Sequence, residues 1–298
     1  MVFSRKFISA TKDFCDYDRH VPAPYIRKAF LLEDQPKSAE ITICGLGFYE
    51  LYVNGQKITK GYLAPYITNP DQVLYYDNYD VGRYLVRGKN VVGLILGNGM
   101  QNAFGGNVWD FDKAPFRSSP KVALALEADG KLLFEADESF KTMPSPITFD
   151  DLRCGEHYDS RLEIFAWAEV GFDDSGWQDC FEAEAPKGEA VLSFAEPIRV
   201  TREVKPLKVI KSGEGYIYDF GINSAGVCRL SVKGYEGQKI SLTYGEVLDA
   251  GRLSLANISF GERTRKGYWQ RDEFICNGKG LHIYVPHFTY HGFQYVYV

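Results

Sequence analysis

Apolar residues along this chain recur at every second position far more often than every 3.6. In "AEITICGLGFYELYVNG" the alternation runs through Ile41 and Ile43, then Tyr49, Leu51 and Val53, and stops at Asn54-Gly55. A period of two sends successive side chains to opposite faces of a pleated strand. Asn and Gly both tolerate the positive φ that a two-residue hairpin demands, so Asn54-Gly55 predicts a tight turn from "YELYV" into "QKITKGYL". Asp129-Gly130 predicts a second hairpin inside "KVALALEADGKLLFEAD", and "NVVGLILGNG" reads as a buried strand that ends in a Gly-rich turn. No amphipathic helix of about 12 residues or more and no βαβ alternation stands out. The expected class is all-β, with two β-sandwich/jelly-roll domains in tandem. The two prolines of "EPIRVTREVKPLKVI" open a new block and place the main boundary near residues 185–205.

Composition narrows the partners. The formal net charge of -5, with no long run of one sign, argues against nucleic acid or an anionic membrane. No stretch approaches the roughly 18 apolar residues of a membrane helix, and the N-terminus shows no apolar leader, so a cytoplasmic location is expected. The 6 cysteines lie far apart without a CxxC, which predicts free, mostly buried thiols. The 20 Tyr, 20 Phe and 4 Trp fill sheets and also suit sugar-binding surfaces.

The chain carries no HExxH, GxSxG, P-loop or strand-GxGxxG-helix signature. Glycoside hydrolysis needs two carboxyl groups on opposite sides of one bond. The candidate pairs are Glu156 with Asp159, Asp173 with Asp174, and Glu246 with Asp249. Each has a structural alternative: Asp159 and Arg161 as a charge-assisted pair, "DDS" as an Asx turn, and "EVLDAG" as a strand exit. His287 and His291, read as lying on one strand, should share a face several ångströms apart, which favours packing or hydrogen bonding over a metal pair. The loop "LGNGMQNAFGGNVWDFDKAPF" offers Asn98, Asn102, Asn107, Trp109, Asp110 and Asp112 as candidate sugar-binding residues. Amides and carboxylates match sugar hydroxyls or a Ca²⁺ ion, although the spacing fits no EF-hand, and an indole face stacks on a pyranose. The alternative is a glycine-rich loop with turn-forming asparagines.

Several segments, taken in order, resemble the N-terminal module of bacterial α-L-rhamnosidases: "GLGFYELYVNGQKI", "LAPYITNPDQVLYYDNYDV", "GKNVVGLILGNG" and "GEHYDSRLEIFAWAEVGFDDSGWQDC". "IRVTREVKPLKVI", "YIYDFGINSAGVCRLSVKGYEGQKISLTYGEVLDAGRL" and "VPHFTYHGFQYVYV" resemble the module that follows it. The resemblance implies a jelly-roll (galactose-binding-like) module over residues 25–195 and a second β-sandwich module over 196–298. Residues 1–24 match no motif and are expected to form an arm that completes a strand of the second module. The resemblance further implies that a catalytic helical barrel of an inverting hydrolase acting on terminal α-L-rhamnose follows Val298, and no catalytic carboxylate carries over onto this chain. The expected role is therefore the non-catalytic part of such an enzyme, scaffolding the barrel and binding L-rhamnose or rhamnosylated glycosides. A face of the second module should expose apolar surface. Met100 and Gln101 stand where the family commonly has an aromatic pair, which weakens sugar stacking at that turn. A freestanding carbohydrate-binding module is the alternative, and a fragment that itself hydrolyses glycosides is a third reading.

Overall fold

The computed structural model of the protein describes residues 3–105, 110–259 and 268–298. Its strands form three large sheets, and helical structure among the described residues is limited to short 3-10 turns such as Ser160–Leu162. The first sheet runs Phe181–Ala183, Phe7–Ser9, Lys121–Ala128, Ala39–Leu46, Val73–Asp80 and Glu189–Leu192, with Lys131–Glu135 also paired to Lys121–Ala128. The second runs Gln178–Asp179, Lys141–Pro144, Pro24–Leu32, Gly88–Gly97, Phe48–Val53 and Gln56–Lys57. These two sheets face each other as the jelly roll.

The alternation read from the sequence sets the packing. Ile41, Ile43, Leu51 and Val53 enter the inter-sheet core with Val92, Leu94 and Leu96. Each such side chain, fully buried, contributes about 1.5–3 kcal/mol. Both hairpin turns form: Asn54 and Gly55 take φ of 48° and 80°, and Asp129 and Gly130 take 47° and 75°. Strand Gly88–Gly97 is buried almost throughout because its other face is covered too. On that face Ile95 joins a separate apolar cluster with Tyr25, Phe48, Trp177 and Phe288. Two glycines there admit aromatic rings against the backbone. A Cβ on Gly93 would lie 2.8 Å from Trp167, and one on Gly97 would lie 2.5 Å from the Phe288 ring.

The third sheet runs Ile147–Asp151, Gly155–Asp159, Arg271–Ile275, Lys239–Gly245, His291–Tyr297, Gly215–Gly226 and Lys208–Ser212. Its membership crosses the expected division at residue 195. The hairpin Ile147–Asp151/Gly155–Asp159 leaves the jelly roll and pairs in parallel with Arg271–Ile275, His157 opposite Glu273. The chain then returns to the first two sheets before residues 199–207, which are exposed and irregular, lead into the rest of the third.

The N-terminal arm also differs from expectation. Phe7–Ser9 completes the first sheet, between Lys121–Ala128 and Phe181–Ala183, rather than a strand of the second module. The fully buried Phe7 ring fixes it there, in an apolar cluster with Cys44, Leu74 and Ala123. The six cysteines are free, five of them buried. No described helix is long and apolar enough to cross a membrane.

Candidate functional site

The Gly-rich loop after Gly97 separates its candidate residues by burial. Asn98 and Asn102 are buried, at 2% and 0% exposure. The Asn98 side-chain amide donates to Asp150 Oδ2 and to the Val21 carbonyl, both at 2.8 Å, and its backbone N–H donates to Asp150 Oδ1 at 2.7 Å. Asn102 donates to Asn98 Oδ1 at 2.8 Å and accepts from the Cys15 backbone N–H at 3.1 Å. These amides tie the arm to the jelly roll and have no donor or acceptor turned to a ligand. Burial pushes the Asp150 carboxyl up to about 8, against the Asn98 hydrogen bonds that favour its ionised form. Asn98→Ala should therefore lower stability by about 2 kcal/mol, because it strips partners from Asp150 and Asn102. Urea unfolding measures this, and no measurable loss would contradict the role.

Asp110 is exposed and pairs with Lys113 at 3.3 Å, and Asp112 is exposed beside Gly105. Asn107 and Trp109 lie outside the described residues. Among the described residues no group of three or more His, Cys, Asp or Glu side chains is placed to hold a metal ion.

The candidate carboxylate pairs are dispersed. Asp159 holds Arg161 through Nε and Nη2 at 2.9 and 2.7 Å and accepts from the Arg161 backbone at 3.0 Å, the charge-assisted pair anticipated from sequence. Asp173 closes an Asx turn on the Ser175 N–H at 3.0 Å, while Asp174 pairs with the buried Arg27. Glu246 accepts from Asn257 at 2.8 Å, and Asp249 lies in the exposed hairpin Val247–Asp249/Arg252–Ser254. Glu156 is fully buried and accepts from the backbone N–H groups of His287 and Phe288 at 2.8 and 2.9 Å and from the Tyr284 hydroxyl at 3.1 Å. Burial pushes its carboxyl up to about 7. The two histidines do not share a strand, which begins only at His291. His287 faces Glu50 at 3.2 Å, and His291 faces Asp272 at 3.1 Å.

A concavity lies elsewhere on the jelly roll. A cleft of about 340 Å³ opens between the loop that follows the Asn54-Gly55 hairpin, the strand Val73–Asp80 and the exit segment 192–198. Backbone bonds fix its walls, from Tyr49 N–H to the Ala64 carbonyl at 2.8 Å and from Tyr62 N–H to the Ile198 carbonyl at 3.0 Å. Tyr62, Tyr66 and Tyr79 line it with Asp77 and Asn78. Burial raises the Asp77 carboxyl above the usual range, opposed by hydrogen bonds from Tyr49 and Ser193. The Asn78 Oδ1 atom is buried without a hydrogen-bond partner. A buried acceptor in that state costs free energy until a donor reaches it. A shallower groove shares Pro65 and Tyr66 with the cleft and is lined by Met100 and Gln101. In the sequence the only signal for this cleft is the density of tyrosines around Asp77-Asn78 in "LAPYITNPDQVLYYDNYDV".

The class the fold defines is a tandem of a jelly roll and a second β-sandwich, an all-β architecture that by itself specifies no activity. Residues 34–202 match the α-L-rhamnosidase N-terminal domain, and residues 210–298 match the bacterial α-L-rhamnosidase concanavalin-like domain. The chain therefore belongs to the α-L-rhamnosidase family. It is 35% identical over 281 residues to an α-L-rhamnosidase of Formosa agariphila, a span covering 92% of this chain and 29% of that relative. The α-L-rhamnosidase structure from Dictyoglomus thermophilum superposes with a TM-score of 0.85 at 32% identity, covering 98% of this chain and 33% of that one. The Streptomyces avermitilis α-L-rhamnosidase complexed with L-rhamnose superposes with a TM-score of 0.84 at 28% identity, covering 93% and 27%. This chain thus spans about a third or less of the relatives it matches.

Proposed function

We propose that this chain is the non-catalytic N-terminal part of an enzyme that removes terminal α-L-rhamnose from glycosides, and that its cleft binds L-rhamnose. The carrying observation is the ordered match of both domains to one family over under a third of a relative's length. The acid and base would then belong to a helical barrel in the same polypeptide, in keeping with the structural engagement of each candidate carboxylate pair here. The barrel's seat would be the exposed apolar residues near the Lys208–Ser212 edge of the third sheet, where Val200, Leu207, Val209 and Ile222 are 59%, 73%, 54% and 50% exposed.

The cleft supports rhamnose binding by its chemistry. Sugar hydroxyls can donate to Asp77, and Tyr62 and Tyr66 on the cleft wall offer ring surface to the apolar side of a sugar. The cleft's aromatic and polar lining residues also favour a second reading, in which the chain binds carbohydrate on its own. Calorimetric titration with L-rhamnose should give saturable heat at millimolar sugar, and Tyr62→Ala should weaken it about tenfold, about 1.4 kcal/mol. No heat with the unaltered chain would overturn sugar binding and leave the scaffold role. Turnover of p-nitrophenyl α-L-rhamnoside by this chain would overturn the non-catalytic assignment.

A further inference from the structure

One of the places where the two β modules meet is a short segment beside the Ile147–Asp151/Gly155–Asp159 hairpin. Residues 285–290 connect strand His282–Tyr284 to strand His291–Tyr297 and lie against the jelly roll. Phe288 stacks on Phe48 with ring centroids 6.3 Å apart, over the bare backbone of Gly97. Beside it, His287 sits among charges from separate elements. Its Nδ1 lies 3.2 Å from Glu50 Oε1, on the jelly-roll strand Phe48–Val53. The Glu156 carboxylate, on the strand Gly155–Asp159, accepts the His287 and Phe288 backbone N–H groups. The imidazole stacks parallel to Tyr158, at 6.3 Å and 8°.

We infer that His287 is a charge latch between the two modules, held to the Glu50 carboxylate, in the field of Glu156, while it carries its proton and loosened when it loses it. The geometry makes the latch depend on protonation. Glu50 is buried, and it is held by Lys57 Nζ at 2.6 Å and the Tyr52 hydroxyl at 2.6 Å as well as by His287. It is a fixed anion: burial opposes its ionisation, but His287 and Lys57 outweigh burial and keep its carboxyl below the usual range. The His287 side chain is 26% exposed, which gives its proton a route to solvent. Burial disfavours the imidazolium, but Glu50 and Glu156 outweigh it, with Lys57 opposing, and raise His287 to about 9. Behind Glu156, Asp272 disfavours its charge, and the Tyr284 hydroxyl donates to it at 3.1 Å. Glu163 bonds the Tyr158 hydroxyl at 3.0 Å and adds no ion pair to the imidazole.

The sign follows from linkage. A histidine whose folded pKa exceeds its free value contributes stability fully present below the free value of about 6.5 and lost as pH rises through the folded value. Glu156, raised to about 7 by burial, acts in the same direction at lower pH, so the test must isolate His287. Comparing the unaltered chain with His287→Gln at each pH does so. Amide hydrogen exchange in residues 284–292, relative to strand Gly88–Gly97, should be at least about tenfold faster in the variant at pH 6, with the ratio approaching one at pH 10. The imidazole resonance of His287 should titrate near 9. Glu50→Gln, which removes the carboxylate that holds the imidazole, should lower that midpoint by about one unit or more, and it serves if His287→Gln does not fold. A midpoint at or below about 6.5, or an exchange ratio constant across pH, would overturn the latch and leave His287 as a packing residue.

Discussion

Replacing Phe288 by alanine should destabilise the chain by about 3–5 kcal/mol, the range for emptying a well-packed aromatic site. The ring is 1% exposed and fills the cluster that joins the second module to the jelly roll. Collapse into the space is hindered because one wall is the backbone of Gly97, inside a hydrogen-bonded strand. Gly97→Ala approaches the same contact from the other side. Its added Cβ would stand 2.5 Å from the ring, an overpacking that costs about 1–3 kcal/mol. The two changes together should cost clearly less than their sum, since the alanine methyl then occupies space the ring has left. Urea unfolding of the four proteins gives the coupling directly. Additive losses, or a Phe288→Ala loss below about 1 kcal/mol, would mean that the modules are joined by other contacts.

Asp272→Ala should cost about 4 kcal/mol, because one side chain satisfies three buried groups. Its Oδ1 accepts from the Glu156 backbone N–H at 2.9 Å and lies 3.1 Å from His291 Nε2, and its Oδ2 accepts from the Tyr244 hydroxyl at 2.6 Å. Asp272, His291 and Tyr244 are all essentially inaccessible, so water cannot replace the lost acceptor. Asp272→Asn keeps the shape but turns a donor toward groups that already donate, and an intermediate loss of about 2 kcal/mol is expected. Thermal or urea unfolding orders the three proteins. An alanine variant no weaker than the asparagine one would show that satisfying these groups does not stabilise the sheet.

Local features were legible in the sequence wherever a residue's partner lies close along the chain. The turns at Asn54-Gly55 and Asp129-Gly130, the Asx turn of Asp173 and the Asp159–Arg161 pair each span a few residues, so residue type alone identifies them. Distant partners were not legible. Gly97 reads as part of a turn, while its indispensable contact is Phe288. Asn98 and Asn102 read as sugar ligands because an amide serves a hydroxyl and a backbone group equally well; burial beneath the arm decides between them. The excursion of Ile147–Asp151 and Gly155–Asp159 has the same alternation as any other hairpin, and nothing in it specifies which sheet it joins. Likewise the cleft depends on three segments meeting, one of them beyond residue 190.

That excursion has a consequence for how such enzymes can be recombined. The stretch between the two family domains, residues 203–209, looks like a natural crossover point for exchanging one domain between relatives. Yet a chimera joined there would carry a foreign hairpin at the edge of its third sheet, with His157 set against another protein's counterpart of Glu273. It would also set a foreign Phe288 equivalent on Gly97. The two domains are separate in sequence but a single heritable unit in space, and successful exchange between relatives should move them together.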